Sequence, residues 1–560
     1  MKLTRMHFDS IHSNRKSTWR ISLLLFTLWF VATAFNITKP YHIDDTGHLE
    51  IAEWVADHPA HPMSGYVNWR DRPAPIHLLN QPHLYFYLLG FYVKCFGVNE
   101  ITTHLFQSLF TLLAIVFFYK LVCVHCQQHV FFPVFFLALS PAFVVGQNLM
   151  TDVPLLSLWI LFYYVLTTDR IRSEWATYLL AGLIASAAVL IKYTSLPLIP
   201  AIFLAILFRK DFRYLYMGLI PVVALALWSL FNYFDYGGIH LLSRPISGFS
   251  IERLRLVCLS WVLCMGAIAP FTLALASGCI VKIRPRCSGV LHTFLWGVAL
   301  LPILLFTLFV SNWLSENQTD FVLRSLFFVN GLLVLSVIIY VVLRYLKACC
   351  ALEMEKIYTE LILLYWFFSG VAFVVLFAPF MATRHVLLVL PPAIILLHKY
   401  VMFQGRKTFH VLSLLCSISL TLMLAVSDFS FANFYKKNAE VIAEKLEGET
   451  VWFSGHWGWQ WYARANGMRQ IDPHNLSAVQ QGDYLVYPEK ISQQYREAQG
   501  YLSAELLFEV NERKFWWEYV STAGPSRFYN SSWRRIPWNF SRDSFGPIKI
   551  FRVKNIISDE

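Results

Sequence analysis

Two adjacent acids, Asp44 and Asp45, lie in the stretch Tyr41-His42-Ile43-Asp44-Asp45-Thr46-Gly47-His48-Leu49-Glu50, a few residues past a long apolar run. Ionisable groups in such surroundings are costly unless they face water or a polar cavity, which makes them functional candidates. Three more charges stand at the ends of apolar runs: Asp152 in Met150-Thr151-Asp152-Val153-Pro154, Lys192 in Ile191-Lys192-Tyr193-Thr194, and Arg384 in Thr383-Arg384-His385. Acids and bases gathered on one membrane face suit a reaction at an anionic lipid head group. Each residue also has a plainer reading. Asp44 or Asp45 could cap the following helix. Asp152 could do the same, with Pro154 in the first turn. Lys192 and Arg384 could snorkel to the interface, and Lys192 would suit a helix C-terminus. The functional reading rests on their joint placement.

Membrane spans are the elements that would bring these residues together. The chain has 560 residues, of which 57% are hydrophobic, 17% aromatic and 14% charged. Soluble domains carry about 25% charged residues. About 13 apolar runs, from near 19–37 to near 408–427, approach the length of about 20 residues that crosses a bilayer. They predict a polytopic α-helical membrane protein. The first run follows Lys2, Arg5, Arg15, Lys16 and Arg20 and lacks a convincing small-x-small cleavage site. It reads as a retained span with a cytoplasmic N-terminus.

Cys123–Gln128 carries no Lys or Arg, but beyond it alternate loops are basic, with Arg170 and Arg172, then Arg209, Lys210 and Arg213, then Lys282, Arg284 and Arg286. Later ones carry Arg344, Lys347 and Lys356, then Arg406 and Lys407. This is the pattern of cytoplasmic loops, so the net charge of +11 needs no nucleic acid. An odd number of spans puts the C-terminal tail outside, on the side of Asp44, Asp45, Asp152, Lys192 and Arg384.

The first outer loop, 37–99, is long. Ile51, Trp54 and Val55 have helical spacing, and Pro82–Gly97 is aromatic and half-amphipathic. Both predict helices lying in the membrane interface. Between them is Pro-rich polar chain that includes Arg70, Asp71 and Arg72. Two domains are expected: a catalytic membrane domain over 1–427 and a small extracytoplasmic α/β domain over 428–560. The tail reads as alternating helices and strands, with helices near 432–446 and 457–465 and strands near 450–454, 483–487, 506–510 and 548–553.

The 10 cysteines lie mostly in or beside apolar runs and say little about redox compartment. Cys123, Cys126 and His129 make at most half of a zinc motif. Histidines cluster in the first loop at His42, His48, His58, His61, His77 and His83. Imidazole and carboxylate suit zinc or manganese, but the spacing matches no defined ligand motif. No cofactor is required, and a divalent metal stays open. Trp457, Trp459, Trp461 and Tyr462 suit core or interface packing first, because Trp favours half-wet positions; stacking on a sugar is the alternative. The sequons at Asn317 and Asn530 matter only in a eukaryotic secretory host.

Asp44-Asp45 after the first span resembles the acidic motif in the first outer loop of the glycosyltransferase C (GT-C) superfamily. More narrowly, the chain resembles the dolichyl- or polyprenyl-phosphate-mannose protein mannosyltransferases and the bacterial lipid A aminoarabinose transferases. Gln81-Pro82-His83-Leu84-Tyr85-Phe86-Tyr87-Leu88-Leu89, followed by Phe96-Gly97, is similar to the family's His/Gln-Pro-Pro-Leu-Tyr-Tyr stretch, with His83 in place of a proline. Asp152-Val153-Pro154 resembles its Asp-x-Pro element, and Lys192-Tyr193-Thr194 its Lys-Tyr-Thr element. Arg384-His385 through Pro391-Pro392 resembles Arg-Tyr…Leu-Pro-Pro, with His385 in place of tyrosine. Gly455-His456-Trp457-Gly458-Trp459-Gln460 resembles a Gly-His-Trp-Gly-Phe-Gln signature of some bacterial members.

The resemblance implies the GT-C fold and transfer of a sugar from a polyprenyl phosphate to an acceptor lipid, glycan or protein, with inversion, at a bacterial inner membrane. A carboxylate would take the proton of the acceptor hydroxyl. Asp44 is the first candidate and Asp45 the alternative. Asp152 would orient a cation, and Lys192 and Arg384 would hold the donor phosphate. His83, Tyr85 and His385 are candidate substrate-lining residues. A transporter or lipid flippase would also have many spans and buried charges, but two symmetric halves with Gly/Pro-broken helices are not apparent. A non-catalytic scaffold would leave Asp44 dispensable.

Overall fold

The computed structural model describes residues 15–69, 72–79, 81–126, 128–244, 250–269, 271–283, 288–350, 357–472, 474–491, 502–522, 528–529 and 535–556. Lys2, Arg5, Arg70, Asp71, Arg284, Arg286, Lys356 and Asn530 lie outside them, as do the side chains of Arg15, Lys16 and Lys347.

Helix α1 (Arg15–Ile37) leads into the first loop. That loop holds α2 (Asp45–Asp57) and α3 (Leu84–Phe96), close to where the sequence predicts helices. Leu49, Ile51, Ala52 and Val55 bury one face of α2. Gly90 of α3 allows close packing there, since a Cβ at Gly90 would come 2.4 Å from the Ala52 carbonyl oxygen. Between the helices, β1 (Tyr66–Val67) pairs with β2 (Ala74–Pro75).

Next come α4 (Glu100–His125), α5 (Asp152–Thr167), α6 (Glu174–Ile191) and α7 (Ile220–Tyr236). Asn99 and Ser173 cap α4 and α6 through the amides of Thr102 and Ala176. Beyond these lie α8 (Ile251–Ile268), α9 (Thr272–Ile283), α10 (Ser288–Val310), α11 (Glu316–Cys350) and α12 (Tyr358–Phe377). Short α13 (Thr383–Leu387) precedes α14 (Leu390–Tyr400), which has prolines in its first turn, where the missing amide costs nothing. The 39-residue α15 (Lys407–Lys445) runs without a break from the last apolar segment into the tail.

Eight described helices are long and apolar enough to cross a membrane, or nine if α8 and α9 count as one span. The protein is therefore an integral membrane protein, with fewer full-length spans among the described residues than the apolar runs suggested. The difference has local causes. The run near 128–146 divides into Phe131–Ala138 and Pro141–Val145, with Ser140 capping the second helix at the Phe143 amide. Helix α5 has 16 residues and is buried on nearly every face, as a core helix is.

The tail contains the expected sheet. Its strands are β3 (Val451–Phe453), β4 (Arg469–Gln470), β5 (Tyr484–Pro488), β6 (Leu502–Val510) and β9 (Ile548–Ile556). A separate pair is β7 (Val520–Ser521) with β8 (Asn539–Phe540). The five-stranded order is β4-β3-β5-β9-β6, with β3 parallel to β4 and β5, and β9 antiparallel to β5 and β6. Helix α16 (Trp457–Ala465) connects β3 to β4. The two strands and their crossover helix form a small βαβ unit.

Candidate active site

The turn into α2 is shaped by its second acid. Asp45 is fully buried, and its oxygens accept backbone N–H bonds from His42 and from Leu149, each at 2.7 Å. The Leu149 carbonyl in turn meets His48 Nδ1 at 2.5 Å, so the strip before α5 is fastened to α2 on both sides of one residue. Between His42 and Asp44, Ile43 has φ of +51°. A β-branched residue rarely adopts that conformation, and the strain costs about 1–3 kcal/mol. The Asp45 latch holds the strained turn and thereby aims Asp44. Burial raises the Asp45 carboxyl from 3.8 to about 7, despite its two amide donors. Burial lowers His42 to about 4.

Asp44 stands at the N-cap position of α2 but makes no capping bond. Its carboxylate, 19% exposed, instead faces Arg384, with Nη2 to Oδ2 at 3.6 Å. Arg384, in α13, also reaches Asp152 Oδ2 through Nε at 3.8 Å. Lys192, just after α6, donates to the other Asp152 oxygen at 2.8 Å. Asp152 is the first residue of α5, and its carboxylate serves these two cations. Asp44, Asp152, Lys192 and Arg384 thus form one chain of two acids and two bases drawn from four distant segments. Its charges balance. Lys192 is held at hydrogen-bonding distance, whereas both Arg384 contacts with the acids are longer than a hydrogen bond.

The substrate-lining candidates are placed differently. Tyr85 is fully buried in α3, and its hydroxyl donates to Gln107 Oε1 at 3.0 Å. Gln107 continues to the Met150 carbonyl, two residues before Asp152. His385 is half-buried beside Arg384, with its ring 5.4 Å from that of Phe380. His83 is buried at the start of α3, next to Phe86 and Trp228. Among the described residues, no group of three or more His, Cys, Asp or Glu side chains is placed to hold a metal ion.

A second buried cluster supports the same turn. Lys39 Nζ donates to Asp428 Oδ2 at 3.1 Å, and His42 Nε2 lies 3.6 Å from Oδ1. Thr522 and Tyr529 of the tail also donate to this carboxylate, at 2.9 and 2.7 Å. Sequence reasoning missed the cluster, although Lys39 and Asp428 each follow an apolar run, the signal that marked Asp152 and Lys192. The tail touches the acidic stretch again through α16. Tyr462 Oη accepts the Tyr41 amide at 2.8 Å and donates to Glu100 at 2.9 Å. Gly458 is needed for that approach, because a Cβ there would lie 2.1 Å from the Tyr41 carbonyl oxygen. Trp459 is core, bonded to the Ser454 carbonyl, and Trp457 and Trp461 pack half-buried against it.

Residues 80–233 match the sequence model of the family described as dolichyl-phosphate-mannose-protein mannosyltransferase. Over this stretch the chain resembles the protein mannosyltransferases. The match includes Asp152 and Lys192, with His83 and Tyr85, but neither Asp44-Asp45 nor Arg384. No curated protein matches the chain in sequence. Among solved structures, it is similar to ArnT from Cupriavidus metallidurans bound to undecaprenyl phosphate, at 14% identity over 97% of this chain and 100% of that one, with a TM-score of 0.42. It is also similar to the Archaeoglobus fulgidus oligosaccharyltransferase in the apo form, at 13% identity over 86% and 73%, TM-score 0.45. A third is the arabinofuranosyltransferase AftD from Mycobacteria, at 12% identity over 96% and 40%, TM-score 0.39.

Proposed function

We propose that this protein is an integral-membrane glycosyltransferase of the GT-C type, moving a sugar from a polyprenyl-phosphate donor to an acceptor hydroxyl at the outer membrane face. The N-terminus is then cytoplasmic, and residues 428–560 form an extracytoplasmic domain over the catalytic residues 1–427. The observation that carries this reading is Arg384 lying between Asp44 and Asp152 while Lys192 holds the other Asp152 oxygen.

The donor phosphate binds Lys192 and Arg384. Guanidinium suits two-pronged contact with phosphate oxygens. As Arg384 turns to the phosphate, Asp44 is released to accept the proton of the acceptor hydroxyl. The hydroxyl oxygen bonds to the anomeric carbon as the bond from that carbon to the phosphate oxygen breaks. The electron pair leaves with the phosphate, where the two cations stabilise the charge. Displacement from the opposite side inverts the anomeric centre. Asp152 keeps Lys192 and Arg384 in register, and Asp45 fixes the turn that presents Asp44.

The test is transfer in proteoliposomes with a panel of labelled polyprenyl-phosphate sugars and candidate acceptors, comparing the parent with Asp44→Asn. Transfer by the parent and its loss in the variant support the proposal. Equal transfer by both rejects Asp44 as base. Lipid movement between leaflets without transfer would establish a flippase instead.

A further inference from the structure

Beside the charged site runs a second polar strip with a different character. Trp228, Asn232 and Tyr236 are spaced four apart along α7, so they share one face. His77 and His83, which precede α3, both meet that face. His77 stacks on Tyr236, with ring centroids 4.6 Å apart and planes 6° from parallel, and His83 lies 6.0 Å from Trp228. Asn232, between those two contacts, is wholly buried, and His83 is 1% exposed.

Among the described residues, neither ring nitrogen of His83 and neither amide atom of Asn232 has a hydrogen-bond partner. His77 Nδ1 and Gln81 Oε1 share that condition. Buried polar atoms are nearly always partnered, and leaving them unpartnered costs free energy. Six such atoms, on Asn232 of α7 and on residues 77, 81 and 83, make an array of donors and acceptors suited to a ligand's own hydroxyls.

The strip is next to the reacting groups. Tyr193, the neighbour of Lys192, contacts His240 Nδ1 at 3.0 Å, and His240 Nε2 meets the carbonyl of Leu79, between His77 and His83 in sequence, at 2.7 Å. On the other side, the Phe86 ring lies 5.2 Å from those of both His83 and His48, and His48 meets the carbonyl of Leu149, three residues before Asp152.

We infer that His83, Asn232 and Gln81, walled by Trp228 and Tyr236, form a subsite for an uncharged, hydroxyl-rich sugar ring. Amides and neutral imidazoles offer both donors and acceptors, and aromatic rings offer apolar faces to the sugar's C–H groups. Burial lowers His83 to about 3, so it is neutral at physiological pH. The charges nearby are engaged elsewhere. Asp235 accepts the Met63 amide at 2.6 Å and faces His61 at 3.3 Å. Arg244 lies against the Leu79 carbonyl and His240 Nε2. Which sugar occupies the strip, that of the donor or that of the acceptor, depends on the proposed glycosyl transfer; the binding chemistry does not.

The experiment is saturation-transfer NMR on the full chain in nanodiscs. The probes are methyl mannoside, methyl glucoside, methyl galactoside and methyl arabinoside, with methyl glucuronide and methyl glucosaminide as charged controls. The parent is expected to bind at least one uncharged glycoside more tightly than either control. Asn232→Leu, His83→Phe and Gln81→Leu should each weaken that binding about tenfold. The melting temperature should hold or rise, because unpaired buried atoms are removed. Binding of undecaprenyl phosphate should be unchanged. Displacement of the glycoside by a polyprenyl-phosphate sugar identifies the donor sugar, and persistence beside it identifies the acceptor. No glycoside binding by the parent, equal binding by all three variants, or preference for a charged control would each overturn the subsite. Glycoside binding that persists in a chain without transfer activity would overturn the glycosyltransferase reading alone.

Discussion

Asp152 and Asp428 are both buried carboxylates met by a lysine, yet their surroundings differ in what they leave free. Asp428 is sealed, with its side chain 1% exposed and that of its partner Lys39 2% exposed. Thr522 and Tyr529 fill the remaining positions, and His42 closes one side. Around Asp152 the cations stay within reach of solvent: Lys192 is 17% exposed and Arg384 15%, and Arg384 is shared loosely with Asp44. A sealed pair whose oxygens are all partnered fixes geometry and leaves no donor or acceptor for a substrate. An open pair with a spare, weakly held guanidinium can exchange a carboxylate for a phosphate. The molecule uses the sealed cluster to hold the Lys39–His42 segment and the open one at the end of that segment, where Asp44 emerges.

The sharpest way to break this contrast is to remove the open-site groups. Asp44→Asn should lower transfer about 10²- to 10⁴-fold, the usual value of a positioned base. Its melting temperature and undecaprenyl-phosphate affinity should stay near those of the parent. Lys192→Ala should cost about 10²- to 10³-fold and weaken donor binding as well. Steady-state kinetics with a lipid-binding assay separate the two. A parental turnover number in both variants would show that the open cluster is structural too.

The sealed cluster should respond in stability instead. Asp428→Asn leaves the Lys39 ammonium buried without a carboxylate, at a cost of about 3–5 kcal/mol. Lys39→Met combined with Asp428→Leu should recover much of that loss, because replacing a whole buried pair with apolar groups is often neutral. Thermal melts of the single and double variants in detergent form the cycle. A double variant no more stable than Asp428→Asn would mean that the tail hydroxyls, rather than the ion pair, set the stability of the cluster.

The charged site was more legible in sequence than its support. Asp44, Asp152, Lys192 and Arg384 were marked by charges at the ends of apolar runs, and the structure brings the four into contact. The division of labour within Asp44-Asp45 was not legible. Adjacent residues point differently, but only the positions of the His42 and Leu149 amides make Asp45 the latch. Lys39 and Asp428 were missed because their pairing spans 389 positions, and no local spacing records it. The helices of the first loop and the sheet of the tail followed from periodicity. The count of spans did not, because an apolar run near 152–168 reads alike whether it faces lipid or, as α5 does, the protein interior.

The latch predicts a pH-dependent effect. Burial raises Asp45 from 3.8 to about 7, so between those values the folded chain keeps a proton that the unfolded chain has lost. Stability from this group is therefore fully present below about pH 4 and falls as pH rises through 7. Asp45→Asn cannot titrate and should flatten that part of the melting profile, whereas Asp44→Asn should keep most of it. An unchanged slope in Asp45→Asn would assign the pH dependence to another group.

The weakest effect is expected where the tail meets α2 through exposed charge. Arg464 donates to Glu50 at 2.7 Å, but Arg464 is 49% exposed. Glu50 is 19% exposed, but such half-exposed pairs contribute about 0–1 kcal/mol, since water solvates the Arg464 end nearly as well. Arg464→Ala should therefore leave both melting temperature and transfer close to parental values. Docking of the tail depends on the buried contacts beneath, where Tyr462 Oη takes the Tyr41 amide and Gly458 lies against the Tyr41 carbonyl. If Arg464→Ala proved as damaging as Asp428→Asn, exposed charge rather than the sealed contacts would be holding the tail to the acidic stretch. The contrast between closed support and open chemistry would then have to be redrawn around Glu50.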